Sequence, residues 1–147
     1  MPKRTPTRLL GLLISRFDQW VTQRMTEVLG DEGCTVEEWR ILVLLCDGAG
    51  HTMSEVADFA MLPAPTLTKL VDGLVADNIV YRRVDETDRR RVRVYLTPRG
   101  KAWNKRLSIL VERFHEDLSN VAGPAEAEQL EELLGRLMDR LDSSVRR

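Results

Sequence analysis

The 147-residue sequence has little of what most often announces chemistry. It holds two histidines, His51 and His115, and two cysteines, Cys34 and Cys46. The histidines are not paired at i,i+4 spacing, and zinc sites favour clustered Cys and His, so no metal and no other cofactor is expected. If Thr35 to Cys46 forms one helix, about eleven residues at roughly 1.5 Å each hold the two cysteines about 16 Å apart. A disulfide needs Cα atoms within about 7 Å, so two reduced thiols are expected. There is no nucleophile elbow, phosphate-binding loop or paired metal motif, which argues against an enzyme. No apolar run approaches the roughly 18 residues that span a bilayer, so no membrane partner is expected. The basic opening MPKRTPTRLL lacks an apolar h-region and a small-residue cleavage site. No signal peptide is expected there, and the expected compartment is the cytoplasm. There is no internal repeat and no low-complexity segment, and the length suits one domain or one domain extended by helices.

What is present is charge of one sign in one place. The chain as a whole carries −1, yet between Arg82 and Arg106 ten basic residues face three acidic ones, a local excess of +7. Such a concentration is the electrostatic footprint of a nucleic-acid face.

The pattern around that window is mostly helical. Leu10, Leu13, Ile14, Phe17, Trp20, Val21, Met25 and Val28 recur at steps of three and four, with polar residues such as Arg8, Arg16 and Arg24 on the other faces. This predicts a long amphipathic first helix, broken by Gly30 to Gly33. Thr35 and Glu38 form a capping box for an apolar, central second helix, and Thr52 and Glu55 form another for a short third helix through Ala60. Pro63 and Pro65 mark the start of a fourth helix, because proline is tolerated in a first turn. Its inner stripe is Leu67, Leu70, Val71, Leu74 and Val75. Ile79 to Val84 reads as a strand, and Val92, Val94 and Leu96 alternate with Arg91, Arg93 and Tyr95 in a second. The charged turn Asp85 to Arg90 joins them. Thr97-Pro98 opens another long helix, and Gly123-Pro124 turns the chain into a last one bearing Leu130, Leu133, Leu134, Leu137, Met138 and Leu141.

Two short helices, the second with small polar residues near its start, followed at once by a β-hairpin, make a winged helix-turn-helix. The expected fold is mainly α with a small β-hairpin. The DNA-binding lobe falls at 35–97, and helical dimerisation regions at 8–30 and 98–143. These outer helices carry more apolar surface than one small core can cover, and such stripes mark an interface. A twofold homodimer would set two recognition helices about 34 Å apart, one turn of DNA. Pro65, Thr66, Thr68 and Lys69, near the start of the fourth helix, are the expected major-groove residues; threonine can donate, accept, or meet a thymine methyl.

The run TVEEWRILVLL, the helix PTLTKLVDGLVADNIV and the wing VDETDRRRVRVYLTPRG resemble the MarR family of bacterial transcriptional regulators. The resemblance runs from about Leu9 to Leu141, and its most specific part is Asp88-Arg89-Arg90 followed by Leu96-Thr97-x-x-Gly100. It implies a homodimeric regulator, commonly a repressor, on a pseudo-palindromic double-stranded DNA operator. It implies that Arg90 enters the minor groove, oriented by a charge-assisted pair with Asp88, with Arg89 and Arg91 on phosphates. It also implies that a small aromatic or phenolic effector lowers DNA affinity from a pocket walled by the first and second helices and the start of the helix after Thr97. Arg16, Trp20, Trp39 and Arg40 are the residues carried over for that pocket. Gly73 and Thr87 depart from the family, standing where relatives often have basic or other polar residues. Two further readings stand beside this one. The first is a thiol-based redox-sensing regulator using Cys34 or Cys46. The second is a winged-helix protein-interaction module that does not bind DNA.

Overall fold

The helices of the lobe begin where their side chains can replace missing backbone partners. In a computed structural model, which describes residues 9–145, α1 spans Leu10–Gly30 and α2 spans Val36–Leu45. Arg8 and the basic opening segment lie outside the described residues. The Thr35 hydroxyl accepts from Glu38 N, and the Glu38 carboxylate accepts from Thr35 N, so both groups of the expected box are in place. The same exchange between Thr52 and Glu55 starts α3, Met53–Ala60. The recognition helix α4, Ala64–Ala76, has Pro63 at its cap and Pro65 in its first turn. It stops at Asn78, whose backbone is left-handed (φ 56°), a conformation asparagine tolerates better than most residues. Ile79 N then donates back to Leu74 O at 2.8 Å.

Strands β2, Val80–Val84, and β3, Val92–Leu96, pair antiparallel with Val80 opposite Leu96 and Val84 opposite Val92. A third strand, β1, comes from His51–Thr52 and pairs with the other edge of β3, giving the order β1-β3-β2. The sheet is therefore larger than the expected hairpin. Two residues are too few to show period-two alternation, so nothing in the sequence marked them.

The chain divides into two compact units, Met1–Leu110 and Val111–Arg147, with the boundary inside α5, Pro98–Ala122. The first unit thus holds α1 and the start of α5 as well as the lobe expected at 35–97. Its core is built from Leu29, Ile41, Leu42, Leu45, Val56, Leu67, Val71, Val80, Val94 and Leu107, all sealed from solvent. The buried part of α1 is its C-terminal end, Met25, Val28 and Leu29. Leu10, Leu13 and Ile14, on the same predicted stripe, are exposed. The second unit comprises the end of α5, a turn at Gly123 (φ 96°) and α6, Pro124–Val145. On α6, Leu133, Leu134, Leu137, Met138 and Leu141 are all exposed. No helix among the described residues is long and apolar enough to cross a membrane.

One junction ties recognition helix, sheet and α5 together. Thr97 N donates to Ile79 O at 3.0 Å, and its hydroxyl reaches Asn78 O at 2.6 Å while accepting from Gly100 N at 2.9 Å. Gly100 lies so close that a Cβ there would overlap the Ile79 carbonyl oxygen. Gly73, on α4, has open space around it. Gly100→Ala should therefore lower stability by about 1–3 kcal/mol, as overpacking against backbone does. Gly73→Ala should raise it by up to about 1 kcal/mol through helix propensity. Urea midpoints at a common m-value distinguish the two.

Candidate nucleic-acid interface

The outer surface of α4 follows from its inner one. Leu67, Val71 and Leu74 anchor the helix in the core, which turns Pro65, Thr66, Thr68 and Lys69 outward, all exposed. The Thr68 hydroxyl donates to Ala64 O at 3.0 Å. Its hydrogen is thereby used within the helix, leaving oxygen lone pairs and a methyl for a ligand. Among the described residues, Thr66 and Lys69 have no side-chain hydrogen-bond or ion-pair partner, so both present their full polar capacity outward.

The first turn of α3 lies between α4 and the wing. One cleft is lined by Thr52, Met53, Ser54, Arg90, Arg91 and Val92. A second shares Met53 and Ser54 and runs on to Ala64, Leu67 and Thr68. Recognition helix and wing tip therefore flank the same structural element.

The wing turn is organised around Asp85, which is buried. One of its carboxylate oxygens accepts from Thr87 N at 2.9 Å and from the Thr87 hydroxyl at 2.8 Å. The other accepts from Arg93 Nε at 2.6 Å. Arg93 also donates through Nη1 to Gly50 O at 2.9 Å, fastening the wing to the loop before β1. Gly50 is left-handed (φ 74°), and a Cβ there would collide with the Tyr95 ring. The hydrogen bond from Arg93, then those from Thr87, hold the Asp85 carboxyl well below the usual carboxylate range. Asp85 in turn pushes Arg93 further up. The turn closes through Asp85 N to Arg91 O and Arg91 N to Asp88 O, both 2.9 Å.

These contacts revise the expected division of labour. Asp88 does not pair with the Arg90 guanidinium. Its Oδ1 accepts from the Arg90 backbone N–H at 3.0 Å, and its Oδ2 lies 3.6 Å from Arg91 Nε. Asp88 therefore shapes the backbone under Arg90, because the side-chain spacing in this tight turn delivers Arg91 to it instead. Arg83 pairs with Glu86 at 2.7 Å, and Arg82 pairs with Asp72 on α4. Among the described residues of the wing tip, Arg89 and Arg90 are exposed and make no ion pair. Thr87, read from the sequence only as a missing base, is a bonding partner of Asp85. An Asp-x-Thr spacing is the available sequence signal for such an Asx-type turn.

The four residues expected around an effector all keep surface accessible in the single chain. Arg16 is exposed, and Trp20, Trp39 and Arg40 are half-buried; Trp20 stacks on Phe17 with ring centroids 6.1 Å apart. A cavity of about 570 Å³ in the first unit is lined by none of them. Its walls include Glu38 from α2, Leu74 from α4 and Arg99, Trp103 and Arg106 from α5. Both thiols are shifted away from the thiolate form. Cys34 is buried, and desolvation pushes it up to about 12. Cys46 is also raised, by desolvation and then by Asp47. A reactive cysteine needs a lowered value. His51 contacts Asp47 at 2.7 Å and Glu55 at 3.2 Å through opposite ring nitrogens. No group of three or more His, Cys, Asp or Glu side chains among the described residues is placed to hold a metal.

A helix-turn-helix with a rigid, arginine-tipped ribbon beside its second helix defines a winged-helix DNA-binding protein. Comparison with known proteins agrees. A family model described as "MarR family" matches residues 32–91. The chain is 31% identical to the HTH-type transcriptional repressor YetL of Bacillus subtilis (strain 168) over 141 residues, covering 90% of this chain and 81% of the relative. A mutant of Escherichia coli MarR, solved in complex with operator DNA, is similar in structure. It has a TM-score of 0.75 and 28% identity over 87% of this chain and 92% of that one. The transcriptional repressor CouR bound to a 23-mer DNA duplex has a TM-score of 0.79 and 25% identity over 90% of this chain and 94% of that one. The chain belongs to the MarR family of DNA-binding transcriptional regulators, which are not enzymes.

The Asp85 clasp has a definite pH signature. Its folded value is depressed relative to about 3.9 in the unfolded chain. Its stabilisation is therefore fully present above that value and is lost as pH falls below it. Asp85→Asn should melt several degrees below wild type near neutral pH, and the gap should narrow as the pH is taken below about 4. Thermal melts across that range provide the check; a gap independent of pH would contradict the charged clasp.

Proposed function

We propose that this regulator is a homodimeric repressor that reads a pseudo-palindromic operator with α4 in the major groove and Arg90 in the minor groove. The observation that carries this reading is the state of the wing tip. The turn is fastened by Asp85 and Asp88, while the Arg89 and Arg90 guanidinium groups have no partner among the described residues. A free guanidinium on a pre-shaped turn suits the strong negative potential of a narrow A·T minor groove. Pro65, Thr66, Thr68 and Lys69 would face base edges and neighbouring phosphates, and Arg91, partly neutralised by Asp88, would be the weaker phosphate ligand. Repeating this surface about 34 Å away requires a second copy. The apolar residues left in water on α1 and on α6 are suited to provide that contact.

The same reading includes a small aromatic or phenolic effector held against Arg16, Trp20, Trp39 and Arg40. Trp20, Trp39 and Arg40 keep part of their surface accessible and Arg16 is exposed, as a stacking and bidentate site needs. Release would follow from preferential binding to dimers whose recognition helices are misplaced, and would be no larger than that preference.

Sedimentation at micromolar concentration should give twice the 16.8 kDa chain mass; a stable monomer contradicts the proposal. Arg90→Ala should remain a folded dimer yet lose about 1–3 kcal/mol of operator affinity per half-site. Gel shifts with the DNA upstream of the coding region measure this, and wild-type affinity in the mutant removes the wing from the mechanism.

A further inference from the structure

A side-chain cross-link joins the recognition helix to the first wing strand. Asp72 stands on α4 one turn past Thr68 and three residues past Lys69, so it shares their exposed side. It is the sole acidic residue of α4, and Lys69 is the sole basic one. Its carboxylate accepts from the guanidinium of Arg82 on β2. Among the described residues this is the one ion pair between α4 and the β-ribbon. The two members are unequally covered, with the Arg82 side chain 34% exposed and that of Asp72 59%.

An arginine on a ribbon beside the DNA is a ready ligand for any phosphate, whatever the sequence. Each such contact strengthens binding to all DNA and steepens its salt dependence by about 0.9 on a log–log scale. What matters to a regulator is the ratio of operator to bulk affinity, and an indiscriminate contact lowers it. A carboxylate placed among DNA-facing residues is costly on its own account, since it repels phosphate. Paired, it cancels Arg82 and draws that side chain along the helix. We propose that Asp72 is a specificity-determining residue. It withholds Arg82 from the phosphates and ties the first wing strand to the recognition helix, so that the two grooves are read together.

The inference rests on the reading of α4 and the wing as the DNA-contacting surfaces. It is tested with wild type, Asp72→Asn and the double variant Asp72→Asn/Arg82→Gln. Each is titrated onto a mixed-sequence duplex of about three helical turns across a sodium chloride series, with fluorescence anisotropy as the readout. Asp72→Asn should bind this duplex more tightly, with a slope steeper by about 0.9 per protomer. The double variant should return to the wild-type slope. Melting temperatures should stay close together, because an exposed pair contributes little to stability. An unchanged slope in Asp72→Asn overturns the proposal, as does weaker binding with melting temperature retained. An Asp72→Asn protein that does not fold overturns it too, since the pair would then be holding the lobe together. A wild-type protein that ignores the duplex at every salt concentration instead removes the underlying assignment of these surfaces to DNA.

Discussion

Asp85 keeps its charge inside a turn that would otherwise have little to hold it. Its two oxygens are divided between Thr87, within the turn, and Arg93, on the returning strand. Through Arg93 the turn is carried to Gly50, and so to β1 and the start of α3. Without that carboxylate the tip would keep its backbone pairing to the sheet but lose its side-chain ties to Thr87 and Arg93. With it, two guanidinium groups project from a fixed base. The rigidity matters because an arginine ordered only on contact must surrender its rotamer freedom at that moment, which reduces net affinity. The shape of the wing tip thus depends on a buried interaction behind it.

The ion pairs also change how the basic window should be understood. Ten positive charges in the sequence suggest a uniformly attractive patch. In the fold, Arg82, Arg83, Arg91, Arg93 and Arg106 each lie against a carboxylate. Half of the window is therefore internally paired, and the unpaired half is divided between Arg89 and Arg90 at the tip and Arg99, Lys101 and Lys105 on α5. Counting charges along the chain locates such a surface well, but it overstates how many counterions binding can release.

The sequence was most legible where structure is local. Two capping boxes, the prolines opening α4 and the alternation of β3 each depend on near neighbours in the chain, and all are present in the fold. It was least legible where partners are set by register. Asp85 and Arg93 are eight residues apart, and their meeting follows from the pairing of Arg83 with Arg93 across the strands. The Asp88–Arg90 pairing suggested by family pattern failed for a related reason, because turn geometry chose Arg91. Strand β1 is too short to carry a pattern, and its existence is a property of β3's free edge. The cavity beside Trp103 is lined by segments far apart in the chain, and no linear reading would assemble them.

The Thr97 junction has a mechanical meaning. Helix α5 begins at Pro98, two residues after the last wing residue, and the residue between them is bonded to the backbone at Asn78 and Ile79. There is no slack segment at that point and no glycine hinge; Gly100 serves close approach rather than freedom. Recognition-helix exit, wing and long helix therefore share a single rigid corner. A tilt of the beginning of α5 would reach the wing through the Thr97 bonds rather than through a flexible linker. Communication between this helix and the DNA-facing surface would accordingly be a rotation of one body, with its compliance located elsewhere in the chain.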